Sequence, residues 1–362
     1  MFRLFLLIFA LVCTIATASA AEGPERLLLH FATVGDSRHD PEAAGITAQD
    51  RIWLQNTKVF ARMIREMQAV KPELLFFNGD MINGYTPDRN VLDRQYAYWR
   101  GMAAHLMESG TYVVPVPGNH ETQVKSKDAK GKQVKLAMAG NEAAWRDNMG
   151  DLIIDVDRWQ KLLGGRVGAW FADNRPLVGG EDNIRSEQRQ LSYSFDFRGL
   201  HFVVINTDAV GNDGKAPVAW LKGDLESAAS RGATGYFIFG HRPAYTYRFK
   251  PAAETVGLDL FPDNQKAFWD LVEKYNAVYF CGHEHIFNLM QPRKTMGGRA
   301  WQVLVGSGGS PFEARLGESA KPEDRLYAWA DVAVYSTGRV HLKIYGFDEF
   351  FGETRLVVDR DF

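Results

Sequence analysis

The sequence predicts an α/β fold in which buried, largely parallel strands alternate with helices. Three observations carry that prediction. Short apolar runs recur, and each stops abruptly at a glycine followed by polar residues. Stretches with apolar residues at helical spacing lie between them. The chain has 362 residues, 46% apolar and 24% charged, which suffices for a large buried core.

The runs are taken in order. Leu27 to Val34 stops at Gly35-Asp36, Leu74 to Phe77 at Asn78-Gly79-Asp80, and Tyr112 to Val116 at Pro117-Gly118-Asn119-His120. Tyr236 to Phe239 stops at Gly240-His241, and Ala277 to Cys281 at Gly282-His283-Glu284-His285. Helices are expected over Ile52 to Val70, Val91 to Met107, Pro217 to Ala229 and Asp263 to Tyr275, with Pro217 suited to a first turn. Ligands of such sheets gather beyond the carboxyl ends of the strands, so the five polar clusters are expected in one crevice. Residues 21–362 read as a single domain with a long insertion at about 121–190. That insertion begins with the Lys-rich Lys125 to Lys135, is partly helical over Asn141 to Leu163, carries Trp170 and Phe171, and is expected near the site. The alternating runs Trp301 to Val305, Tyr327 to Tyr335 and Val340 to Tyr345 read as antiparallel strands completing a second sheet.

Residues 1–20 form a different regime. A basic start at Met1 to Arg3, the short apolar run Leu4 to Val12 and Ala18-Ser19-Ala20 have the form of a secretory signal peptide cleaved after Ala20. The expectation is a periplasmic or secreted protein without a stable membrane anchor. Val12 before Cys13 disfavours lipidation, and removal of the leader leaves Cys281 alone, with no partner for an internal disulfide. A net charge of −2 gives no footprint of a nucleic-acid binder, so no specific nucleic-acid binding is expected. The oligomeric state is left open.

The candidate metal ligands are Asp36, Asp80, Asn119, His241, His283 and His285. Asp, Asn and neutral His suit Mn, Fe, Zn or similar ions. One carboxylate can bridge two such ions, which together clamp the attacking and leaving oxygens of a phosphoryl transfer and lower the pKa of a bridging water. His120, beside a ligand, is placed to protonate the leaving oxygen. Alone, Gly-Asp after a strand is a common turn; Gly-His-x-His is more specific, and all five clusters in order make a strong set.

These clusters, above all Gly118-Asn119-His120-Glu121 and Gly282-His283-Glu284-His285, resemble the five blocks of the calcineurin-like metallophosphoesterase superfamily over about Leu27 to Gly308. The resemblance implies a four-layer αββα sandwich of two mixed sheets flanked by helices, with a two-metal site at the C-terminal ends of strands. It implies that Asp80 bridges the ions, that Asp36 and His285 complete the first site, and that Asn119, His241 and His283 complete the second. His120 would assist attack by a metal-bridged hydroxide on phosphomonoesters or small phosphodiesters. Two positions depart from the pattern. Arg38 stands where the first block usually has a ligand His, so the first ion is expected to bind weakly, and an Arg there suits a substrate phosphate. Asn83 stands where many relatives have an Asp that orients the catalytic histidine. Arg38, Asn83 and Arg242 are therefore the substrate-binding candidates, and a metal-binding module with impaired catalysis is the alternative reading.

Overall fold

The structure is a computed structural model that describes residues 24–42, 46–248, 250, 254–319 and 321–362; the expected signal peptide lies outside these residues. The first half runs β1 (Leu27–Val34), α1 (Ala48–Trp53), α2 (Thr57–Val70), β2 (Leu74–Asn78), α3 (Arg89–Glu108), β3 (Tyr112–Val116) and the short α4 (Asn119–Thr122). A hairpin of β4 (Gln123–Lys127) and β5 (Gln133–Ala137) follows, then α5 (Ala139–Met149) and α6 (Val156–Leu163). Next come β6 (Tyr193–Phe197), β7 (Leu200–Val204), α7 (Val218–Ser230), β8 (Gly235–Phe239), α8 (Pro262–Lys274) and β9 (Val278–Cys281). The chain closes with β10 (Phe287–Met290), β11 (Trp301–Val305), β12 (Leu326–Tyr335), β13 (Val340–Asp348) and β14 (Arg355–Asp361).

Two six-stranded mixed sheets result, ordered β14-β13-β12-β1-β2-β3 and β10-β11-β9-β8-β7-β6. Strand periodicity stacks them into four layers, because successive side chains point to opposite faces. Phe237 and Phe239 on β8, Phe202 on β7 and Phe280 on β9 face the first sheet, where Phe31 meets all four rings edge-on at 5.7 to 6.4 Å. Their neighbours Val203, Ile238, Tyr279 and Cys281 face the other way and pack with Leu221 and Leu225 of α7 and Phe268 and Trp269 of α8. On the far side of the first sheet, Phe60 of α2 and Trp99 of α3 cover Phe77.

The helices follow the expected periodicity with one break. Leu54 adopts a left-handed conformation and ends α1, and the Asn56 side chain caps the start of α2, so the stretch read as one helix is two. The tail differs more. Only β11 joins the second sheet, parallel to β9. β12 pairs antiparallel with β1 and carries β13 and β14 outward in the first sheet. Alternation had shown which faces of these strands are apolar; the choice of sheet follows from β1, a buried central strand that needs a partner on each side.

His201 on β7 is fully buried between two carboxylates, Nδ1 2.7 Å from Asp196 and Nε2 2.9 Å from Asp224. Burial opposes its charge, but the two hydrogen bonds outweigh burial and raise its pKa above 6.5. The stabilisation from this triad is complete below about pH 6.5, the ordinary His value, and is lost as pH rises through the raised value. NMR titration is expected to give His201 a midpoint above the ordinary value; a midpoint at or below it would refute the linkage.

Candidate metal centre

Five parallel strands, β1, β2, β3, β8 and β9, point their carboxyl ends at one place. The loops after them hold their donors in unusual backbone. Asp36 has φ 62°, Asp80 φ 53° and His283 φ 74°, all left-handed and each costing about 1–3 kcal/mol for a residue other than glycine. Main-chain bonds fix this loop geometry: Asp36 N donates to Gly79 O at 2.9 Å, and Ser310 N to Asp36 O at 2.8 Å. A Cβ on Gly118 would overlap Asp80, and one on Gly282 would overlap Asp36, so glycine at both lets the backbone pass against the carboxylates.

Two donor sets form around Asp80. In one, Asn119 Oδ1 lies 2.8 Å from both His241 Nε2 and His283 Nδ1, the two nitrogens are 3.1 Å apart, and His241 Nε2 is 3.1 Å from Asp80 Oδ1. Spacings near 3 Å are the edges of a coordination octahedron with bonds of about 2.1 Å, so these residues fit a small divalent cation. His241 Nδ1 donates to Asn78 O at 2.8 Å, which leaves Nε2 as a lone pair aimed at the set. In the other, Asp36, Asp80 and His285 offer atoms within 4.8 Å of one another. His285 Nδ1 donates to Pro311 O at 2.7 Å and Nε2 faces inward. Here, however, the Arg38 guanidinium enters, Nε 3.4 Å from Asp80 Oδ2 and Nη2 3.1 Å from His285 Nε2.

The electrostatics suit cation binding. Burial, then Arg38, holds His120 well below the ordinary histidine range. Burial and Arg242 do the same for His283, and burial and Arg38 push His285 down to about 3. These imidazoles are therefore neutral at neutral pH. Burial would raise Asp80, but His120 and His241, in the acid range where imidazoles are protonated, with Arg38 and His283, hold it well below its usual value. Burial and repulsion from Asp80 push Asp36 up instead, and its Oδ1 is buried without a hydrogen-bond partner, an atom poised for a cation.

The structure brings all six candidate ligands and His120 together. Asn83 is placed differently from expectation. Its side chain donates to His39 O at 3.1 Å, and its main-chain carbonyl, not its side chain, takes the Nδ1 proton of His120. The turn explains this: Gly84, at φ 52°, runs against His120 O with no room for a Cβ, so main chain lies beside the imidazole. Arg242 is anchored rather than solvated, Nε 2.8 Å from Asp208 and Nη1 2.7 Å from Val256 O, with Nη1 also 3.1 Å from His283 Nε2.

Two residues of the site escaped the sequence reading. Glu121 accepts from Gly118 N and Asp80 N on Oε2 and from Met81 N and Ile82 N on Oε1, at 2.7 to 3.2 Å. Its signal was the fourth letter of Gly118-Asn119-His120-Glu121. Tyr85 packs against His120 with ring centroids 3.8 Å apart and planes tilted by 46°, and takes the Asn119 amide proton, which turns Asn119 Oδ1 to the donor set. Nothing in the sequence pattern singled it out.

A two-sheet αββα sandwich with Asp, Asn and His converging at its strand ends defines the class of metal-dependent hydrolases. Residues 39–287 match the family described as calcineurin-like phosphoesterase, and the chain belongs to that family. A curated relative from Arabidopsis thaliana, named probable inactive purple acid phosphatase 9, is 27% identical over 143 residues, 39% of this chain and 20% of that one. The chain thus matches about a fifth of that relative's length. Among solved structures, purple acid phosphatase PPD1 from yellow lupin (Lupinus luteus) seeds gives a TM-score of 0.53 at 13% identity, over 91% of this chain and 52% of that one. A structure of PhoD gives 0.50 at 14% identity, over 94% and 73%. At such identities the likeness is one of fold.

Glu121→Ala leaves four main-chain N–H groups without their acceptor. It is expected to lower stability by about 3–5 kcal/mol, read as a fall in the urea midpoint. A midpoint equal to wild type would show that the two loops hold without this carboxylate.

Proposed function

We propose that this chain is an exported, metal-dependent phosphoesterase acting on phosphomonoesters or small phosphodiesters. The observation that carries the reading is the convergence of Asp80, Asn119, His241 and His283 donor atoms beside His120. A cation held there supplies charge for phosphate oxygens and a water of lowered pKa.

The remaining steps belong to side chains. His120 has its Nδ1 proton tied to the Asn83 carbonyl, so only Nε2, 3.6 Å from Asp80 Oδ2, can exchange a proton with substrate. Burial and Arg38 depress its pKa, so Nε2 carries a lone pair at neutral pH, and the small imidazolium fraction is the form that readily gives a proton to a leaving oxygen. With Nδ1 of His283 committed to a cation, its proton sits on Nε2, and Arg242 Nη1 is then free to donate to a phosphate oxygen. Lys125 and Lys135, on the β4–β5 hairpin, lie over the Tyr85 ring at 5.2 and 4.4 Å, which brings positive charge to the His120 side of the site. That charge favours an anionic substrate, and the overall net charge of −2 gives no reason to expect a long nucleic acid.

Chelation is expected to abolish hydrolysis of para-nitrophenyl phosphate or its bis-ester, and Mn, Zn, Fe or Mg added singly to restore it. His120→Ala should lower kcat by about 10²–10⁴ with metal content retained. Stoichiometric metal without turnover on either ester would instead make the chain a binding module of the same fold. Lys135→Ala is expected to raise KM several-fold at unchanged kcat; an unchanged KM would remove the hairpin from substrate binding. Export predicts a mature chain beginning at Ala21, which intact-mass measurement of protein recovered outside the cytoplasm would show; a mass retaining the first twenty residues would contradict it.

A further inference from the structure

We propose that Arg38 takes the place of the first metal ion, so that this chain binds one cation beside one fixed guanidinium where the resemblance implies two cations. The inference rests on the metal-dependent reading above and specifies the number and kind of charges in that site.

Asp80 directs its two oxygens to different neighbours. Oδ1 belongs to the set of His241 and Asn119, at 3.1 Å from His241 Nε2. Oδ2, the atom a bridging carboxylate would give to the other ion, lies 3.4 Å from Arg38 Nε. The inward nitrogen of His285 is likewise taken, accepting from Arg38 Nη2 at 3.1 Å. A first ion would need these same two atoms.

Arg38 is held in this position by its surroundings. Its main-chain N donates to Asp80 O at 3.3 Å, its carbonyl accepts from Ser310 Oγ at 3.0 Å, and its side chain is only 11% exposed. A guanidinium cannot shed its proton to make room for an ion. An entering cation would have to displace a like charge and strand it, buried, without its partners. Asp36 Oδ1, 3.8 Å from His285 Nε2 and without a hydrogen-bond partner, is the one atom of the first set that Arg38 does not take. It marks where an ion would enter if the guanidinium swung aside, so occupancy decides the matter.

The chemical consequence is a site with unequal halves. The exchangeable cation supplies Lewis acidity on the Asn119 side, while Arg38 supplies planar N–H donors of permanent charge to a phosphate oxygen on the His285 side.

The test is the metal content of the mature chain reconstituted with Mn(II) and freed of excess, by elemental analysis, with electron paramagnetic resonance on the same samples. Wild type is expected to hold one Mn per chain with the hyperfine pattern of an isolated ion. Arg38→His is expected to hold two, with the pattern of an exchange-coupled pair. Two ions in wild type would overturn the inference and leave the metal-dependent reading standing. One ion in both proteins would overturn the assignment of the exclusion to Arg38. No ion in wild type would sink both readings. Wild-type stoichiometry and spectrum remain decisive if the variant fails to fold.

Discussion

Glu121 and Asp80 are two buried carboxylates a few residues apart in space, and the site is built on the difference in what surrounds them. Glu121 takes four main-chain N–H groups from the loops after β2 and β3 and so ties together the turns that carry Asp80, Asn119 and His120. Asp80, held in place by those bonds, turns Oδ1 to His241 and the His120 main-chain N–H and Oδ2 to Arg38. A carboxylate satisfied by backbone acts as a scaffold, whereas one facing imidazoles and a guanidinium acts as a receptor for positive charge.

Around that pair the sandwich supplies rigidity. The rings of Phe31, Phe202, Phe237, Phe239 and Phe280 lock the two sheets together just below the strand ends. The left-handed residues Asp36, Asp80 and His283 persist because this packing and the loop hydrogen bonds over-determine them. Strain at the donors is thus supported by ordinary apolar burial one layer away.

Much of this was legible in the sequence. Asp36, Asp80, Asn119, His241, His283 and His285 each follow an apolar run at a glycine turn, a signature local enough to read without a structure, and the structure gathers all six. What stayed hidden depends on contacts across the fold. Alternation in Tyr327 to Tyr335 shows which face is apolar but not that the strand pairs with β1. The β6–β7 hairpin joins short apolar runs around the tight turn at Arg198-Gly199 and carries none of the polar clusters that mark the other strands. Asn83 was read by its side chain, yet the Gly84 turn puts its carbonyl on His120. The role of Glu121 appears only once two loops are seen converging on it.

The donors also come from strands at both extremes of a long sequence separation, Asp36 after β1 and His285 after β9, and from both sheets. Neither sheet alone contains a complete set, so no half-formed chain presents the centre. Contacts of such separation form late and slow the approach to the native state. A metal ion would therefore find its full set of donors only in a chain whose two sheets have already met. Among the described residues Cys281 is the only cysteine and is free, so no disulfide between them assists that assembly.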